Sequence, residues 1–127
     1  MEDRLQQGLA WLTDRLQQFA SRPVTYRRGA AAVVVSATAG RTTGESTDSQ
    51  GLRIQTEVRD WLIPTASLVL EGRPVLPERG DRIEESTGRE IVVFEVVPLG
   101  SEPPYRYCDP CRTLLRIHVR EMERESL

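Results

Sequence analysis

From Val24 onward the chain is a run of short β-prone segments separated by turns that carry Gly or Pro, and this punctuation most limits what it can fold into. Val24-Thr25-Tyr26-Arg27-Arg28 comes first, then Ala30 to Thr38 with Val33-Val34-Val35 at its centre. In Leu52 to Ile63 the residues Ile54, Thr56, Val58 and Asp60 fall on one face and Arg53, Gln55, Glu57, Arg59 and Trp61 on the other. The alternation slips at Asp60-Trp61-Leu62, where a bulge is expected, and Pro64 ends ladder pairing. Thr65 to Leu70 is open to a short helical turn or a strand, and a turn followed by a strand edge is the reading favoured. Arg82-Ile83-Glu84 leads through a hairpin connection into Arg89 to Pro98, apolar on both faces and so a central strand. The last strand alternates Thr113, Leu115, Ile117 and Val119 with Leu114, Arg116, His118 and Arg120, one side buried and the other polar. About six such strands predict a mainly β fold, a small antiparallel barrel or sandwich.

Two segments depart from this pattern. Leu5, Leu9, Leu12, Leu16 and Phe19 form one stripe at helical spacing, which predicts an N-terminal amphipathic α-helix over residues 1–22, ended by Ser21-Arg22-Pro23. Trp11 lies off that stripe, either lapping the core's edge or anchoring a neighbouring subunit. Residues 38–51 are rich in Gly, Thr and Ser with almost no large apolar side chain, which predicts an exposed, mobile loop. At 127 residues the chain fits a single domain, with the helix at 1–22 and the β-barrel at 24–120.

Charge and composition exclude more than they assign. The formal net charge is −2, giving no general attraction to nucleic acid. There is no Lys and no Asn, and every basic side chain but His118 is Arg. A GC-rich genome explains this, and so does bidentate pairing with carboxylates or phosphates. No apolar run reaches the roughly 18 residues of a membrane span. Glu2 and Asp3 stand where a secretory signal has basic residues, so synthesis in the cytoplasm and no membrane association are expected.

Reaction chemistry is thin. Cys108-Asp109-Pro110-Cys111 is a C-x-x-C without a second pair, so a zinc site needs His118 with Asp109, Glu102 or Glu121 to converge on it. The alternatives are a redox motif, which belongs at a helix start, or two ordinary turn cysteines. Asp81, Glu84 and Glu85 form an acidic cluster that reads as a solvated hairpin face. Gly40-Arg41-Thr42-Thr43-Gly44 lacks the lysine and strand-to-helix setting of a phosphate loop. No cofactor and no enzyme activity are expected. Contact surfaces remain. Arg112, Arg116 and Arg120 are spaced to share one strand face with His118 between them, joined by Arg106. That stripe is a solvated face paired with Glu121 and Glu123, a subunit interface, or a contact for phosphates. Tyr105 and Tyr107, held by Pro103-Pro104, are candidate partner anchors or core residues.

The order of these signals carries a resemblance. Pro77-Glu78-Arg79-Gly80-Asp81-Arg82-Ile83 is a turn feeding a strand. It is followed by Pro103-Pro104-Tyr105-Arg106-Tyr107-Cys108-Asp109-Pro110 and then Arg112-Thr113-Leu114-Leu115-Arg116-Ile117-His118. Over residues 25–120, and most strongly from Pro77 to His118, this resembles the head-tail joining, or head-completion, proteins of long-tailed phages and prophages. The resemblance implies a small β-barrel and a structural virion protein. It further implies a homo-oligomeric ring in the neck that seals the packaged head, between the portal or connector and a tail-completion or tail-terminator protein, with packaged DNA in the ring lumen as a non-specific contact. Pro77, Gly80 and Asp81 match as turn-forming positions, and Asp109-Pro110 with Arg112 as the lead into the last strand. Cys108 and Cys111 depart from the family's needs. The alternatives are a tail-completion or tail-terminator protein and, from another class, a small zinc-binding or regulatory β-domain.

Overall fold

The computed structural model describes residues 21–47 and 49–126. The expected N-terminal helix and Trp11 lie outside the described residues. Nine strands occur among the described residues: β1 (Arg22–Arg28), β2 (Ala31–Thr47), β3 (Arg53–Pro64), β4 (Val69–Leu70), β5 (Arg73–Pro74), β6 (Arg82–Ser86), β7 (Glu90–Val96), β8 (Tyr105–Tyr107) and β9 (Leu114–Ser126). A single 3-10 turn, Thr65–Ser67, precedes β4, as the turn-then-strand reading of that segment expected.

Neighbouring strands run in the order β3-β2-β1-β6-β7-β9, every pair antiparallel, and a further ladder from β3 to β9 closes them into a six-strand barrel. Closure pairs Arg59 with Val119 and Pro64 with Leu114 at its two limits. It removes the open edges that a sandwich would leave. β8 adds to β9 opposite Leu115 to Ile117.

The period-2 pattern of each strand fills the interior. Val24, Tyr26, Val35, Ala37, Trp61, Ile63, Ile83, Val92, Phe94, Val96, Leu115, Ile117 and Val119 form one cluster, joined by Leu68 and Leu70 from the connection between β3 and β6. The Trp61 and Phe94 rings meet edge to face with centroids 5.8 Å apart, a favoured aromatic geometry.

Two expectations are corrected. The segment from Thr38 to Thr47 is strand rather than loop, paired residue by residue with β3 from Leu62 to Arg53. Its Thr-rich sequence suits a ladder whose two faces need no large apolar groups. Nor is there a bulge at Asp60-Trp61-Leu62, since both ladders of β3 run through it in register. Asp60 and Trp61 point to opposite faces and are both fully buried, so the broken alternation records two covered faces. The register shift lies instead between Val93 and Phe94 of β7, which face Glu123 and Glu121, leaving Met122 of β9 as the extra residue.

β2 changes partner along its length, pairing with β1 as far as Ala37 and with β3 from Thr38. The β3 ladder to β9 stops at Arg59. From Thr43 to Thr47 and back from Arg53 to Glu57 the two strands therefore pair only with each other among the described residues. This two-stranded arm extends roughly 15 Å beyond the closed part, at about 3.3 Å per residue.

Candidate docking interface

β8 and the first half of β9 lie side by side, with Arg106 opposite Arg116, Tyr107 opposite Leu115 and Tyr105 opposite Ile117. Tyr105 and Tyr107 are half-buried and pack against the core cluster. Their rings meet edge to face at 6.0 Å. Arg112 lies outside the strand, in the turn before it, and its guanidinium stacks 5.4 Å from the Tyr107 ring. Arg112 therefore does not share the face of Arg116 and Arg120. Arg106 and Arg112 are exposed; Arg106 faces away from the core-packed tyrosines beside it, so only Arg112 is in contact with a tyrosine ring.

The turn that carries Arg112 is built on Asp109. Its carboxylate accepts hydrogen bonds from the backbone N–H groups of Thr113 (3.0 Å) and Leu114 (3.0 Å) and from the Thr113 hydroxyl (2.7 Å). Burial alone would raise the Asp109 carboxyl, but the bonds from Thr113, Leu114 and the Cys111 backbone outweigh it and hold the group below the usual carboxylate range.

Arg116 and His118 are engaged with the protein itself. Arg116 Nη1 donates to Asp60 Oδ2 at 2.8 Å, and His118 Nδ1 lies 2.6 Å from Asp60 Oδ1. The Thr42 hydroxyl also donates to Asp60. Burial pushes the Asp60 carboxyl up, yet the bonds from His118, Thr42 and Arg116 prevail and leave it below its ordinary value. His118, expected on a polar strand face, is almost fully buried, and its Nε2 has no hydrogen-bond partner among the described residues. Arg120 is exposed and pairs with Glu95 at 2.8 Å, not with Glu121 or Glu123. Sequence reasoning missed Asp60 and Thr42, because the ladders that bring them to β9 join residues more than fifty positions apart for Asp60 and more than seventy for Thr42.

Pro77, Gly80 and Asp81 form the turn before β6. Gly80 takes φ 93, a conformation open to glycine, and its N–H donates to Val96 O at 3.0 Å. Asp81 is buried and accepts from the Tyr26 hydroxyl, from Arg28 Nε at 3.0 Å and Nη2 at 2.9 Å, and from Glu78 N at 3.0 Å. Burial first, then Asp81, pushes the Tyr26 phenol far above its ordinary value. The acidic cluster is thus no solvated face. Glu85 is buried too, 2.8 Å from Arg22 and 3.8 Å from Arg59, whose guanidinium lies over Phe94 at 4.6 Å and Trp61 at 5.2 Å.

Among the described residues no group of three or more His, Cys, Asp or Glu side chains is placed to hold a metal ion, and Cys108 and Cys111 are free thiols. A family model described as phage head-tail joining protein matches residues 2–126. No curated protein matches the chain.

Proposed function

Because the chain belongs to the phage head-tail joining protein family, we propose that it forms a homo-oligomeric ring in the neck of the virion, seated on the portal or connector, where it seals the packaged head and receives the tail. The observation that carries this reading is the two-stranded arm outside the closed barrel, whose strands have no further ladder partner among the described residues. An isolated hairpin is marginal in water, and exposed strand edges pair readily with another chain. The arm therefore suits contact with a neighbouring copy.

The exposed Arg106, Arg112 and Arg120 and the half-buried Tyr105 and Tyr107 supply further candidate contact residues in this reading. Aromatic and Arg side chains concentrate binding energy at interfaces. Whether the partner at these residues is the portal or the tail-completion protein depends on the orientation of the ring, and packaged DNA in the lumen would meet exposed Arg side chains through phosphates alone.

Native mass spectrometry of the chain, alone and mixed with purified portal-bearing heads, tests the proposal. The expected result is a multi-copy complex on the heads. A chain that stays monomeric and ignores heads overturns it.

A further inference from the structure

The joining role makes no use of the two thiols. Cys108 is exposed and Cys111 partly so, and both lie in the connection between β8 and β9. That connection is tight: Cys108 N donates to Leu114 O at 2.9 Å, and inside this pair Arg112 N donates to Asp109 O at 3.2 Å. A turn of this kind keeps α-carbons three residues apart within about 7 Å, and a disulfide spans roughly 4.4–6.8 Å between α-carbons. The turn's limit applies to Asp109 and Arg112, its two ends; Cys108 stands one residue before it and Cys111 at its third position, so both thiols belong to the same chain reversal.

Two further features favour a bond between these thiols over a metal. Asp109 fixes the loop from inside through its bonds to Thr113 and Leu114, and Arg112, directly after Cys111, is held at φ 58, a conformation uncommon for a residue with a side chain. The loop is thus already bent and ordered, which lowers the entropy that cross-linking must still remove. The surroundings are also cationic: Arg106 and Arg116 line one hollow with Tyr107 and Cys108. Guanidinium groups repel a metal ion. Burial leaves the Cys108 thiol above its ordinary value, although the guanidinium groups lower it in part.

We propose that Cys108 and Cys111 form a reversible intraloop disulfide by exchange with a low-molecular-weight disulfide such as oxidised glutathione. One cysteine thiolate attacks a glutathione sulfur and releases one glutathione as thiolate. The second cysteine, deprotonated in turn, attacks the mixed disulfide at the protein sulfur and releases the second glutathione. In total two cysteine thiols are oxidised to one disulfide, and one glutathione disulfide is reduced to two thiols. The product bond ties the turn that presents Arg112 to Tyr107. This inference does not rest on the ring or its partners.

The test incubates the full chain in glutathione buffers of increasing oxidised fraction, followed by thiol counting, intact mass and a non-reducing gel. Wild type is expected to lose both thiols together, to lose the mass of two hydrogen atoms, to remain a single monomeric band, and to regain both thiols in dithiothreitol. Amide exchange at Thr113 and Leu114 is expected to slow severalfold on oxidation. Cys108→Ser and Cys111→Ser each leave one thiol, which is expected to end as a glutathione adduct. Thiols that stay free in excess oxidised glutathione, or a wild type that collects glutathione adducts or interchain dimers, would overturn the proposal.

Discussion

Asp81 ties its own turn to β1, accepting from a buried tyrosine and the terminal arginine of that strand and from the backbone of the turn. A buried carboxylate is tolerated when its lone pairs are filled this way, and removing one partner leaves the others buried and unmatched. Asp81→Ala is expected to cost about 3 kcal/mol by urea denaturation, and Tyr26→Phe, which leaves the ion pair with Arg28 intact, about 1 kcal/mol. Asp60 makes a different, pH-linked prediction. Its folded carboxyl titrates below the unfolded value of about 3.9. Between the two values the unfolded chain binds more protons, so the contribution of Asp60 is complete above about pH 4 and is lost as pH falls through the folded value. Asp109 is shifted the same way and adds to the effect. Asp60→Asn is expected to lower stability at neutral pH and to flatten the acid limb of a plot of denaturation midpoint against pH. An unchanged limb would show that Asp60 does not carry it.

At the level of elements, the β2–β3 hairpin does two jobs: its base belongs to the barrel and its tip does not. Gly40 marks the base. A β-carbon there would lie 3.3 Å from Arg116 Nη1, 3.8 Å from Leu62 Cγ and 3.9 Å from Asp60 Cβ. Alanine asks only that the end of Arg116 shift slightly. Gly40→Val crowds the guanidinium away from Asp60 and is expected to cost about 1–3 kcal/mol, read as a lowered melting temperature. The tip behaves oppositely. Replacing residues 43–57 by a two-residue turn leaves the ladder from Arg59 to Pro64 intact, so the shortened chain is expected to keep a cooperative melt near that of wild type. It is expected to fail to assemble on portal-bearing heads, which a pull-down with the heads reads directly.

For the molecule as a whole, local signals in the sequence were informative and distant ones were not. β1, β6, β7 and the first half of β9 were legible because each carries its own period-2 pattern with turn residues on both sides. The arm was not, because Gly, Ser and Thr are the residue types of loops as well as of this ladder. The site was half legible. The Pro77-Gly80-Asp81 turn could be read from its residue types. Asp60, Arg59 and Glu85 acquire their roles only across the barrel, through pairings no short window contains. The inside-out rule also failed for Asp60 and His118, since it assumes that the second face of a strand is wet. β9 has one more consequence. It alone pairs with β3, β7 and β8, and it is the last of these strands to be synthesised. During translation the edge of β3 therefore waits without its partner until residues 114–119 emerge, and a chain broken off before Leu114 keeps that edge open. Such fragments are open to aggregation and degradation, so truncation before Leu114 is expected to be read as lost solubility.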